Sequence, residues 1–264
     1  MHSPPHIEQD LFISSHSFQS QGRQLRRGFI LMLAILACVG STSGQSKSTS
    51  SSVPPRLSGG SVQSASFHSV ILGQVIDYQV ILPAGYRETG TQRYPVLYLL
   101  HGRGDTMQAW TTIAPDLFRL TAEGLIPPVI AIMPDALGSQ RAGYYIDSLF
   151  AGNDRLPRGQ AMETAITADL LAHVDQTYRT QANRAGRIVA GYSMGGYGAL
   201  RLALAHPELF GSAIVLSPAV YFPLPPAGSS TREFGAFGQG GEQFSEKAYR
   251  SLNYPALLPE FATK

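Results

Sequence analysis

One stretch of this chain has a composition and spacing with a specific chemical consequence: Gly191-Tyr192-Ser193-Met194-Gly195, a serine with glycine two residues away on either side. It directly follows the apolar run Arg187–Ala190 and opens an Ala/Leu-rich stretch, so it reads as strand, sharp turn and helix. A serine on such a turn projects its hydroxyl above the sheet, where it can attack a carbonyl carbon. Gly191 and Gly195 avoid collisions where strand and helix pass closest. The helix N-terminus carries a partial positive charge that favours a developing oxyanion. The competing reading, a glycine-rich phosphate or dinucleotide loop, fits poorly, because it requires glycine at Ser193 or a following lysine. A tetrahedral intermediate needs two amide donors. Met194 N–H supplies one, and Arg103 N–H is expected to supply the other from the loop His101-Gly102-Arg103-Gly104-Asp105.

The elements that must hold these groups are legible from periodicity. Val96–Leu100, Val129–Met133, Arg187–Ala190 and Ala213–Leu216 are short, nearly continuous apolar runs, the pattern of parallel strands buried on both faces. Phe67–Leu72 and Val75–Leu82 alternate apolar and polar side chains about Gly73-Gln74, which predicts an antiparallel hairpin. Ala161–Tyr178 has apolar residues at helical spacing, with Glu163, Asp169 and Asp175 on its polar side. Met194–Ala205 is a second helix, stopped by His206-Pro207, and Glu242–Leu252 a short third. Alternation of strands and helices predicts an α/β fold: a mixed, mostly parallel sheet with helices on both faces. The aperiodic span Asp135–Gln160 is expected to loop over the carboxyl ends of the strands, where ligands bind, with Trp110, Tyr144 and Tyr145 as candidate cleft residues.

Composition narrows the field further. The 264 residues are 44% hydrophobic and 14% charged, enough apolar material for a buried core. Twenty basic and 18 acidic residues are interspersed and leave a net charge of +2, so there is no electrostatic footprint for nucleic acid. Cys38 is the only cysteine, which excludes an internal disulfide and any multi-cysteine metal site. No metal cluster or cofactor motif is visible, and serine acyl chemistry needs neither.

Residues 1–40 read as an export signal. The apolar run Phe29–Val39 follows Arg23, Arg26 and Arg27 and is shorter than the roughly 20 residues that cross a bilayer. Arg26-Arg27-Gly28-Phe29-Ile30-Leu31 resembles a bacterial twin-arginine signal. Ile35-Leu36-Ala37-Cys38 resembles a lipobox, whose cysteine would be lipidated and would tether the protein to a membrane; the alternative is cleavage a little later, between Ser41 and Gly44. Either route places the protein in the bacterial envelope or outside the cell. The serine-rich stretch 41–66 has no apolar period and is expected to be a disordered linker, leaving one folded domain over 67–264.

LYLLHGRGD at 97–105 followed by Trp110, IMPDA at 132–136, GYYID at 143–147 and AGYSMGGYGALRLALAHPELFG at 190–211 resemble the esterase family of alpha/beta hydrolases. Its members include S-formylglutathione hydrolases, feruloyl and acetyl xylan esterases, enterochelin esterases and the mycobacterial mycolyltransferases. The resemblance implies transfer of an acyl group from a carboxylic ester, of a small molecule or a carbohydrate, through an acyl-serine on Ser193. It also implies a downstream acid and histidine, on strands beyond Leu257. Here no aspartate follows Ser193, and the one downstream histidine, His206, lies about 20 Å along the same helix at 1.5 Å per residue. His101 ends the strand that feeds the oxyanion loop; the resemblance implies that this position shapes the loop and does not act as base, with a substitute role as base the minor alternative. A truncated hydrolase domain, lacking its last strands and crippled in catalysis, is therefore expected. Two other readings stand beside it: a non-catalytic binding module for acylated glycans, and an acyltransferase using the same serine.

Overall fold

The computed structural model describes residues 59–138 and 141–263. The expected export signal, Cys38 and most of the serine-rich linker lie outside the described residues. Six strands form the main sheet: β1 (Ser61–Ser69), β2 (Gln74–Leu82), β3 (Val96–Leu100), β4 (Ile130–Pro134), β6 (Arg187–Ser193) and β7 (Ser212–Pro218). A separate two-stranded pair joins β5 (Leu149–Phe150) to β8 (Gln239–Gly240). The order is β1-β2-β4-β3-β6-β7, antiparallel from β1 through β4 and parallel from β4 to β7. The sheet is mixed and mostly parallel, as the apolar runs predict.

The ladder begins earlier than the sequence pattern suggests. Residues 61–66, assigned above to the disordered linker, pair with β2 from Ser61↔Leu82 onward. Most of these side chains are exposed, so burial does not hold them. Their main-chain groups bond to β2, whose other edge is already fixed by β4, and Gln79 Nε2 donates to Ser64 Oγ at 2.7 Å. A polar, serine-rich segment thus becomes a strand because a partner edge is waiting for it, which composition does not reveal.

Strand alternation splits the core between the two faces of the sheet. Val96, Tyr98 and Leu100 point into one core, Leu97 and Leu99 into the other, and all five are fully buried. The first core is covered by α2 and α3. Helix α2 starts as Met162–Thr164, widens into a π-helical segment Ala165–Leu170 and closes as Leu171–Thr177; α3 is Met194–Ala205. Asp147 caps the start of α2, accepting from the N–H and hydroxyl of Thr164 at 3.0 and 2.5 Å. The second core is covered by α1 (Ala114–Ala122), whose Leu117 and Leu120 pack with Ile81, Leu99 and Met133. Helix α4 (Glu246–Leu252) is four residues shorter at its start than the sequence suggests, because Ser245 caps it by accepting from Ala248 N–H at 3.3 Å. A last turn, α5, is Leu258–Phe261.

Candidate active site

Ser193 ends β6 and caps α3 with φ 54° and ψ −119°, a left-handed backbone that a non-glycine residue adopts only under constraint. That strain is of the order of 1–3 kcal/mol, and the surrounding ladder supplies the constraint. β6 pairs with β7 as far as Tyr192↔Leu216, the register shifts, and Ser193 stands opposite Pro218. Its carbonyl then accepts from Ala219 N–H at 2.9 Å.

Both flanking glycines are sterically required. A Cβ on Gly191 would lie 2.2 Å from the Gly195 carbonyl oxygen, and one on Gly195 would lie 2.1 Å from that of Leu100. The second contact also locates the neighbouring loop. The first turn of α3 rests against the end of β3, so residues 101–105 leave the sheet beside the elbow. Asp105 N–H closes this loop on the Gly102 carbonyl at 3.2 Å, with Gly104 at φ +76°. Met194 is buried at the head of α3. The Arg103 side chain is exposed and its guanidinium sits 5.6 Å from the centre of the Phe234 ring.

The three aromatic residues expected to line a cleft do not. Trp110 is 5% exposed, donates Nε1–H to the Leu100 carbonyl at 3.0 Å and packs edge-on against Tyr192. Tyr144 and Tyr145 both have positive φ and both turn inward. The Tyr144 hydroxyl bonds Thr231 Oγ1 at 2.7 Å and its ring packs on Tyr197 and Phe237, while Tyr145 donates to the His101 carbonyl at 3.1 Å. Their hydroxyls found partners inside the protein, which lets large rings be buried without an unsatisfied polar atom.

His101 is bonded as a loop-shaping residue, and its minor alternative role as base is not supported. Its Nε2 accepts from Ala136 N–H at 2.8 Å, so the ring hydrogen is on Nδ1, which faces the Gly102 carbonyl at 2.8 Å. Asp135 Oδ1 is also within 3.3 Å of Nε2, but the shorter amide contact already occupies that lone pair. His101 fixes the loop instead. His173 shares a hydrogen bond with the Tyr78 hydroxyl at 3.0 Å and stacks on Phe67; burial pushes its imidazole below the ordinary range. Among the described residues, no hydrogen bond joins the Ser193 hydroxyl to a histidine.

Glu163, placed above on the polar side of α2, is instead buried with Arg201 of α3. Arg201 Nε donates to Glu163 Oε2 at 2.5 Å, and His206 Nε2 contacts Oε1 at 2.9 Å. Arg201 and Tyr197 also donate to the Leu252 carbonyl, so one network joins α2, the helix behind the serine and the end of α4. The legible signal was the lone arginine inside the Ala/Leu run of α3: a guanidinium there must meet an acid or remain unpaired in the core.

The Esterase family model ("Putative esterase") matches residues 69–252, from the end of β1 through α4. Esterase Rv1288 of Mycobacterium tuberculosis is 39% identical over 149 residues, covering 56% of this chain and 30% of that protein. An endo-1,4-beta-xylanase/feruloyl esterase of Xylanibacter ruminicola is 32% identical over 170 residues, covering 62% of this chain and 22% of that protein. The matched region thus spans less than a third of either relative. Among solved structures, a ferulic acid esterase superposes with a TM-score of 0.61 at 24% identity, over 77% of this chain and 73% of that one. S-formylglutathione hydrolase from Agrobacterium tumefaciens gives 0.59 at 23%, over 76% and 72%. The fold is that of the alpha/beta hydrolases.

Proposed function

This chain belongs to the esterase family of alpha/beta hydrolases, and we propose that it transfers the acyl group of a carboxylic ester through Ser193. The hydroxyl oxygen attacks the carbonyl carbon while its proton passes to solvent water, which returns a proton to the departing alcohol oxygen, and the carbonyl oxygen becomes an oxyanion received by the N–H groups of Met194 and Arg103. Collapse expels the alcohol, and water then releases the acid from the acyl-serine. The observation that carries this reading is the strained backbone of Ser193, φ 54° and ψ −119°, between β6 and α3. A binding module has no use for that strain, whereas a nucleophile must be raised clear of the sheet. An acyltransferase would share every step up to the acyl-serine and differ in accepting an alcohol instead of water.

The substrate class we infer is an acetyl, feruloyl or similar ester, supported by the feruloyl and ferulic acid esterases among the similar proteins. Turnover is expected to be slow, because among the described residues no histidine is hydrogen-bonded to Ser193, and His101, His173 and His206 each have other partners. A fluorophosphonate probe should leave its adduct on the tryptic peptide Ile188–Arg201, at Ser193. An adduct confined to other residues would contradict the assignment.

We also read residues 1–40 as an export signal with Cys38 as the lipidated anchor. A palmitate analogue fed to the producing bacterium should label the wild-type protein and spare Cys38→Ala. Equal labelling of both proteins, or none of either, removes the anchor.

A further inference from the structure

The residue preceding the nucleophile is tied to the loop that faces it. The Tyr192 hydroxyl donates to Asp105 Oδ2 in a short hydrogen bond, joining residues 87 apart in sequence. The Tyr192 ring also lies directly on the loop backbone, since a Cβ on Gly102 would come within 2.7 Å of its Cε2. Trp110 supports the ring from the side, with centroids 5.2 Å apart and planes at 69°, and is itself anchored to the Leu100 carbonyl. Asp105 N–H returns to the Gly102 carbonyl at 3.2 Å. Both ends of the Gly102–Asp105 turn are therefore fixed to one side chain of the elbow, and Arg103 lies between them.

We propose that Tyr192 and Asp105 are positioning residues that set the distance between the Arg103 N–H and the Ser193 hydroxyl. The inference rests on the reading of Ser193 as nucleophile and of the Arg103 amide as an oxyanion donor. An oxyanion donor contributes only if it is held where the charge develops, and an error of about 1 Å can cost on the order of 10²-fold in rate. Met194 N–H needs no such device, because it belongs to the same strand-helix junction as the serine. The Arg103 amide sits on a loop from a different strand, with glycine on either side; His101 holds the start of that loop at the Gly102 carbonyl, and the bond from Tyr192 to Asp105 ties its far end to the elbow. A hydrogen bond from the residue beside the nucleophile is the shortest mechanical link between the two halves of the site.

The test uses the full chain and hydrolysis of p-nitrophenyl acetate. Tyr192→Phe keeps the ring on Gly102 and Trp110 and removes only the hydroxyl. It should lower kcat about tenfold or more while KM changes less than twofold. Asp105→Ala should do the same, the double variant should be no worse than either single one, and Asp105→Asn, which keeps an acceptor oxygen, should recover most of the loss. Urea midpoints of all four should stay close to that of the wild type, which separates positioning from folding. If Tyr192→Phe and Asp105→Ala keep wild-type kcat while Ser193→Ala is inactive, the positioning role is wrong and the nucleophile stands. If Ser193→Ala retains the wild-type rate, the nucleophile reading falls and this inference falls with it.

Discussion

Ser193→Ala is expected to reduce hydrolysis of p-nitrophenyl acetate to the rate of the buffer. The wild-type chain should show a trace rate, because two contributions to serine catalysis are separable. Activation of the hydroxyl by histidine is missing among the described contacts: His101 and His173 are hydrogen-bonded within the fold, and His206 is held by Glu163. The strained elbow and the head of α3 are present, and the Met194 and Arg103 amides are the proposed oxyanion donors. Slow attack by the unassisted hydroxyl, its oxyanion received by those amides, is the source of the trace rate. Acylation without a base is slow, so release of p-nitrophenol should be linear from the start, with no rapid first turnover. Removing the hydroxyl removes the acyl-serine route altogether. A Ser193→Ala protein that hydrolyses the ester as fast as the wild type would show that another group reacts. A rapid first turnover in the wild type would show that a base reaches the serine after all.

The largest effect on stability is expected from Glu163→Ala. Glu163 and Arg201 have side chains only 9% and 10% exposed, and the variant leaves the guanidinium in the core without its counter-charge. Breaking a buried pair from one side typically costs about 3–5 kcal/mol, far more than an exposed pair such as Arg119–Glu123 contributes. The Leu252 carbonyl still accepts from Arg201, which puts the expected loss toward the lower end of that range.

The same network has a pH signature. Burial would push the Glu163 carboxyl up, but the bonds from His206 and Arg201 outweigh it and hold it below its ordinary 4.5. The bond to Glu163 holds the His206 imidazole above its ordinary 6.5, against the effect of burial. A histidine raised on folding adds stability that is complete below 6.5 and lost as pH rises through the raised value; a lowered carboxyl adds stability that is complete above 4.5 and lost as pH falls through the lowered value. Wild-type urea midpoints should therefore be highest between those limits, and Glu163→Ala should flatten the profile as well as lower it. A loss below about 1 kcal/mol, or an unchanged pH profile, would show that the network does not stabilise the fold.

What the sequence alone determined was local. Val96–Leu100 and Met194–Ala205 have in the structure the bounds their patterns predict, because a strand buried on both faces must be apolar throughout and the α3 stretch is rich in helix formers and stopped by His206-Pro207. The elbow is legible for the same reason: Gly191, Ser193 and Gly195 answer to a turn only five residues long. The tertiary structure alone decided which distant groups meet. Sheet order sets β3 between β4 and β6, and so brings Asp105 to Tyr192, Trp110 to the elbow and His101 to Ala136. The packing of α2 against α3 turned Glu163 from a surface acid into a buried partner of Arg201, and internal hydrogen bonds drew Tyr144 and Tyr145 from an expected cleft into the core. Periodicity reports which face of an element is apolar. It carries no information about which polar group on another element will satisfy a hydroxyl, a guanidinium or a free strand edge, and that pairing decides whether Tyr144, Tyr145, Glu163 or residues 61–66 belong to the surface or to the fold.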